Sequence, residues 1–268
     1  DEQFPIVSGG IGATYDFNDE FTFFGGVHRG VSPPGPSASV SGLSEESSIA
    51  VEGGMRYQSP RGALQAEVTT FYTYFFDLIV IDNVGGAGSG DTENVGEVES
   101  IGVELLVQYD PGIAYNWGFN MPNFISVTYT NAELASDSNS EDAESLFAGG
   151  VKGNLVPYIP EYLLTLGTGV ETQHFGIFLT GSFVSETYTS ASNTTAQVNG
   201  DGDPDARFGM LDSHFVVDLS AYYRVTDNVK VIGGIHNLFD EEYTASRHPH
   251  GPRPGKPFFG YIGVEATF

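Results

Sequence analysis

The chain has 268 residues, 40% of them hydrophobic and 13% aromatic, with 35 Gly, 20 Phe, 14 Tyr and no Cys. Charged residues are only 17%, yet the formal net charge is −25, from 10 basic and 35 acidic side chains. This excludes the basic face that nucleic acid needs, a disulfide framework or thiolate metal site, and a helical membrane span, since no apolar run approaches roughly 20 residues.

Alternation of apolar and polar residues, which sends successive side chains to opposite faces of a sheet, predicts eleven strands. The first two, Gly9 to Phe17 and Phe21 to Val31, flank the polar turn Asn18-Asp19-Glu20. Ser48 to Gln58 and Ala63 to Val80 flank Ser59-Pro60-Arg61-Gly62, and Val95 to Tyr109 and Asn116 to Asn131 flank Asp110-Pro111-Gly112. Pro157 to Thr172 and His174 to Tyr188 follow almost without a break. His214 to Thr226 and Val229 to Asp240 are joined by Asp227-Asn228, and Phe258 to Phe268 closes the chain. Gly, Pro, Asn and Asp fall where tight turns require them.

Long segments separate these hairpins: 32–47, 81–94, 132–156, 189–213 and 241–257. Short and long connections therefore alternate, as in an outer-membrane barrel with short periplasmic turns and long outer loops. The faces agree. Ile101, Val103, Leu105 and Val107 share one side, and Gly102, Glu104 and Gln108 the other. The apolar set would face lipid and the polar set a wet lumen. Tyr72, Tyr74, Phe75 and Phe76 cluster near a strand end, as do Tyr222 with Tyr223 and Phe258 with Phe259, in the manner of aromatic girdles. A soluble β-sandwich with one buried face is the competing architecture.

The motif Asn237-Leu238-Phe239-Asp240-Glu241-Glu242-Tyr243 resembles the penultimate-strand motif of the TonB-dependent outer-membrane receptors. Arg253-Pro254-Gly255-Lys256-Pro257, followed by a strand ending in Phe268, resembles their C-terminal signature. Segments Val27 to Pro34, Asn94-Val95-Gly96 with Gly102-Val103-Glu104, and Pro157-Tyr158-Ile159-Pro160-Glu161 are similar to the branch with ferric-citrate-type receptors. The resemblance implies an all-β antiparallel transmembrane barrel of about 22 strands around a plug. Residues 1–268 would then be the C-terminal part of that barrel, about half its strands, with no plug. The chain opens at Asp1 without a signal segment, which fits a piece of a longer protein. An open sheet in lipid would leave unpaired backbone at its edges, so either residues 1–268 are a fragment of a longer receptor or the sheet closes on itself or on a second chain.

The resemblance also implies a function: TonB-energised uptake of an iron chelate such as a siderophore or ferric citrate. The contact with TonB would lie upstream. Other expected partners are membrane lipid, lipopolysaccharide and the barrel-assembly machinery, which would recognise Tyr261, Gly263, Ala266 and Phe268. No cofactor and no enzymatic role are implied. Anionic chelates call for cations that can form charge-assisted hydrogen bonds. The richest run is Arg247, His248, His250, Arg253 and Lys256, with Arg207 in another loop and His28 and Arg29 near a strand end. The same cations could instead pair with acidic neighbours or lipopolysaccharide phosphates, and His248 with His250 could ligate a metal directly. Asp201, Asp203, Asp205 and Asp212 have the spacing of a calcium loop, although Ala206 stands where Gly makes the sharp turn. A passive porin-like or structural barrel is the second reading. A surface hydrolase using His214, Asp218 and Ser220 is the third, and about 20 Å of strand rise separates His214 from Ser220.

Overall fold

The computed structural model describes residues 7–34, 43–81, 92–140 and 143–267, with backbone alone for 81, 92 and 93. Phe268 and the glycine-rich segment 85–90 lie outside the described residues. The elements are β1 (Gly9–Asp16), β2 (Phe21–Ser32), β3 (Glu46–Gln58), β4 (Leu64–Phe76), β5 (Ile79–Ile81), β6 (Thr92–Asn94), β7 (Val98–Tyr109) and the short helix α1 (Pro111–Tyr115). They continue with β8 (Asn123–Leu134), β9 (Tyr162–Glu171), β10 (Phe175–Val184), β11 (Thr187–Tyr188), β12 (Met210–Leu211) and β13 (His214–Thr226). The last are β14 (Val229–His236), β15 (Thr244–Ser246), β16 (Arg253–Pro254) and β17 (Phe259–Ala266).

Among the described residues, eleven strands form one sheet in the order β1-β2-β3-β4-β7-β8-β9-β10-β13-β14-β17. Every neighbouring pair in it is antiparallel. Sequential neighbours pair throughout, so the sheet is a meander whose edges are β1 and β17. Three small hairpins, β5–β6, β11–β12 and β15–β16, stand outside it within the long connections.

Register carries the alternation across the whole wall. One row reads Ile11, Val27, Val51, Tyr72, Ile101, each residue directly opposite the next. All five side chains stay exposed. Leaving such a row in water costs about 25 cal/mol per Å². A sandwich would cover this face with a second sheet, and among the described residues none does. The opposite face carries Glu52, Arg56, Glu67, Thr69 and Glu104 in the same register.

On that polar face the aromatic side chains sit opposite glycines. Phe24 pairs with Gly54, Phe71 with Gly102, Phe124 with Gly167, Phe178 with Gly169, Tyr222 with Gly176 and Tyr261 with Gly234. A Cβ added at any of these glycines would run into the ring opposite. The rings therefore lie flat across the glycine backbone, a cross-strand packing that rescues strand glycines.

Short polar side chains close the tight turns. The Asn18 carboxamide accepts from the Glu20 and Phe21 amides at 2.8 and 2.9 Å. Ser59 Oγ accepts from Leu64 N at 2.9 Å, and Thr172 Oγ1 from Phe175 N at 3.0 Å. The turn at Asp110 is longer than the sequence predicts. Asp110 caps α1 by accepting from Ile113 N at 3.2 Å, Pro occupies the first turn, and Asn116 ends the helix in the left-handed region. The strand expected from Asn116 therefore begins at Asn123.

Other boundaries shift for equally local reasons. The segment Pro157 to Glu161 is not strand; Tyr158 has φ 62°, and β9 starts at Tyr162. Asn237 and Asp240 have φ of 50° and 54°, which ends β14 at His236.

The packed core lies where the long connections meet the ends of β7 and β8. Val95, Val98, Ala132, Leu134, Phe147, Val156 and Ala191 form one buried cluster, with Phe75, Leu78, Val80 and Leu146 packed against it. Phe208 is buried separately, against His248. Asparagines stitch the layer: Asn154 Nδ2 donates to Ala191 O at 2.7 Å, and Asn193 accepts from Leu155 N at 2.6 Å.

Candidate functional site

The candidate site is this loop layer, and Tyr158 is its junction. Its positive φ turns the side chain toward the segment after β15. The hydroxyl lies 2.8 Å from His248 Nδ1 and accepts from the amides of Arg247 and His248 at 3.3 and 3.2 Å. The Tyr158 amide in turn donates to Tyr188 O at 2.9 Å, at the end of β11. One residue thus joins three loops. Burial holds its hydroxyl above the usual phenol range despite the two amides.

Arg247 and Arg207 fix the neighbouring chain. Arg247 Nε donates to Met210 O at 2.9 Å and Nη1 to Ala206 O at 3.2 Å, which locks the 206–210 segment to the last loop. Arg207 pairs with Asp205 and with Glu144, the latter at 3.0 Å. Its hydrogen bonds hold the Asp205 carboxyl below the usual carboxylate range. The two carboxylates raise the guanidinium well above its own.

His248 fills the gap between these groups. Its ring meets Phe208 edge-on at 5.2 Å and Tyr158 at 5.8 Å. Nε2 is buried with no partner among the described residues. Burial, with Arg207 adding repulsion, pushes the imidazole down to about 4, so it is neutral at ordinary pH. The cost of charging a group in an enclosed site explains the direction.

Beyond His248 the chain turns back, with Gly251 N donating to Arg247 O at 2.8 Å. His250, Arg253 and Lys256 are exposed. The backbone that carries them is held from below by Asn237, which is 1% exposed. Its Nδ2 donates to the carbonyls of Glu241 and Lys256, both at 2.9 Å, and its Oδ1 accepts from Glu241 N at 2.8 Å. Asp240 accepts from Phe258 N at 2.9 Å. The motif 237–243 is thus a structural knot under the last loop.

The predicted cations therefore divide. Arg207, Arg247 and His248 are consumed in holding the layer together. His250, Arg253 and Lys256 instead occupy solvent-exposed positions of the last loop. His28 and Arg29 do not share a surface: His28 opposes Ala50 on the polar face, while Arg29 opposes Ile49 on the apolar one.

The aspartate run is not gathered as a calcium loop needs. Asn199 Oδ1 accepts from the Asp201 and Asp203 amides at 3.1 and 2.9 Å, and the Asp205 carboxylate is taken by Arg207. Asp212 follows β12. Among the described residues no three His, Cys, Asp or Glu converge as a metal set.

The hydrolase triad does not form either. His214 stacks on Tyr243 at 4.0 Å. Asp218 accepts from Asn237 N at 2.8 Å and pairs with His236 at 3.2 Å. Ser220 opposes Gly234 and Phe178. In β17, Tyr261 and Gly263 lie on the polar face, opposite Gly234 and Ile232, and Ala266 opposes Val229.

Tyr158, Phe208 and Asn237 as a contact-making side chain were not legible as site residues. Tyr158 looked like the start of a strand; the two prolines around it, Pro157 and Pro160, were the available signal against that.

Similar proteins share this architecture. The Pesticin receptor of Yersinia enterocolitica is 27% identical over 252 residues, covering 91% of this chain and 33% of that protein. The chain thus spans about a third of the length of that curated relative. A ferric citrate transporter, FecA, in unliganded form superposes with a TM-score of 0.73 at 21% identity, over 96% of this chain and 37% of that one. A copper transporter, OprC, also gives 0.73, at 19% identity over 97% and 38%. The family model described as TonB dependent receptor-like, beta-barrel matches residues 2–238. The apolar face is then the lipid face, the polar face lines the lumen, and the long loops are the outer ones. The chain belongs to the β-barrel family of TonB-dependent receptors of the bacterial outer membrane, which are transport receptors and not enzymes.

Proposed function

We propose that residues 1–268 form the C-terminal part of the barrel of a receptor for TonB-energised uptake of an iron chelate, a siderophore or ferric citrate. The observation that carries this reading is the division among the basic residues. In a chain of net charge −25, His250, Arg253 and Lys256 stand exposed on a loop whose backbone is fixed by Asn237 and by the Tyr158–His248–Arg247 junction. A preorganised cationic platform binds an anion without first losing the entropy of ordering a loop. Charge-assisted hydrogen bonds to carboxylate or catecholate oxygens supply the affinity. The polar lumen face offers the onward path. Energy would come through TonB, acting on chain upstream of this barrel part.

The test is binding and uptake by the full-length receptor carrying His250→Ala, Arg253→Ala and Lys256→Ala together. Affinity for ferric citrate and for a panel of ferric siderophores should fall while heat-modifiable folding and outer-membrane level stay unchanged. Unaltered affinity for every chelate that the parent binds would remove this loop as the contact surface. Solute leakage through the reconstituted receptor without TonB would favour a passive pore.

A further inference from the structure

The turn between β7 and β8 stands apart from the other periplasmic turns. Residues 111–122 read Pro-Gly-Ile-Ala-Tyr-Asn-Trp-Gly-Phe-Asn-Met-Pro, without one charged side chain. That is unexpected at an aqueous surface of so acidic a chain. Tyr115, Trp117 and Phe119 form a ladder of rings, with centroids 5.9 Å and then 5.5 Å apart. All three are exposed, Tyr115 by 67% and Trp117 by 46%. A stacked aromatic surface left uncovered marks an interaction site.

Both ends of the ladder are tied to the lipid face. Asn120 and Glu171 exchange backbone hydrogen bonds at 2.9 Å each, continuing the register of β8 with β9. Phe119 and Met121 therefore keep the parity of Asn123 and Ile125, which is the outward one. At the other end the Tyr115 hydroxyl interacts with that of Tyr109, the last residue of β7 and in line with Val107, Leu105 and Val103. The helix itself is braced from the adjacent turn, where Arg61 Nη1 donates to Ala114 O at 3.2 Å.

We infer that residues 111–122 are an interfacial lipid anchor, seated at the headgroup–acyl boundary of the periplasmic leaflet. The ladder is continuous with the lipid face and lies just past its periplasmic end. Trp and Tyr partition to that depth because each pairs an apolar ring with a polar N–H or O–H. The lack of charge removes the cost of bringing the turn against acyl chains.

Trp117 is the chain's single tryptophan, which supplies the test. The full-length receptor and its Trp117→Phe variant would be reconstituted in phosphatidylcholine vesicles with bromines at shallow or deep acyl positions. The fluorescence lost in the variant isolates the Trp117 component, and phenylalanine preserves the stack. That component should be quenched more by shallow than by deep bromines and be shielded from aqueous acrylamide. Ready quenching by acrylamide without bromolipid quenching would overturn the proposal, placing the ladder in water. Protection from both would also overturn it, since the ladder would then be covered by protein.

Discussion

The Tyr158 hydroxyl and His248 Nδ1 lie 2.8 Å apart although 90 residues separate them in the chain. This bond joins the segment before β9 to the loop after β15. Replacing Tyr158 with Phe keeps the ring against His248 but leaves the amides of Arg247 and His248 without their acceptor. Each orphaned group costs about 1–3 kcal/mol. Amide exchange in 244–254 should accelerate in the variant while β7, β8 and β9 exchange as in the parent.

Acid should loosen the same junction. The His248 imidazole is held at about 4, against about 6.5 in an unfolded chain. Between those values the unfolded state binds more protons, so stability rises with pH there. The contribution is complete above about pH 6.5 and is lost as pH falls toward 4. Asp205, held below the usual range by Arg207, keeps its charge through this window and loses it only at lower pH. Proteolysis of the last loop should therefore quicken between pH 7 and 5, and a His248→Phe variant should flatten that response.

The knot under the last loop predicts a sharper loss. Asn237→Ala removes one acceptor and two donated bonds at a site 1% exposed. Loss of a buried hydrogen-bonded side chain costs about 1–3 kcal/mol for each group left unpaired. The urea midpoint of the full-length receptor in detergent should fall, and exposed-loop proteolysis between 241 and 257 should appear before the wall unfolds. Asn237→Asp keeps the acceptor but turns a carboxylate oxygen onto the carbonyls of Glu241 and Lys256, so it should lose at least as much.

The wall offers a packing test at Gly167. The three atoms nearest a Cβ there all belong to the ring of Phe124. Gly167→Val should destabilise the barrel by about 1–3 kcal/mol, the usual cost of overpacking. Adding Phe124→Ala should recover most of it, because the obstacle is the ring and not backbone. Heat-modifiable mobility on gels, read against temperature, measures both.

How much of this was legible depended on periodicity. The wall strands were, because alternation persists for eight or more residues and the lipid face repeats Ile, Val, Leu and Tyr. Ends were lost where a single backbone angle decided them, as at Tyr158, Asn237 and Asp240. The helix α1 was hidden because Asp110-Pro111-Gly112 serves equally as a bare turn and as cap and first turn of a helix. The loop core was illegible for a different reason. Val95, Phe147 and Ala191 come from separate connections and Leu134 from the end of β8, and they show no common period, so only the folded chain brings them together. The same holds for the cations: composition drew attention to Arg247 and His248, but contacts alone separate them from His250 and Lys256.

That loop core has an evolutionary consequence. The wall is specified by alternation and by ring-on-glycine pairs, while the outer layer is specified by its own buried residues and asparagine stitches. The two parts meet at a narrow seam, where Val98 of β7 and Ala132 and Leu134 of β8 enter the loop core. Loop residues remote from that seam can change without disturbing the wall, whereas those packed on it are tied to the strand ends. Away from that seam the wall tolerates wide sequence change, as the TM-score of 0.73 at 19–21% identity to two solved structures illustrates.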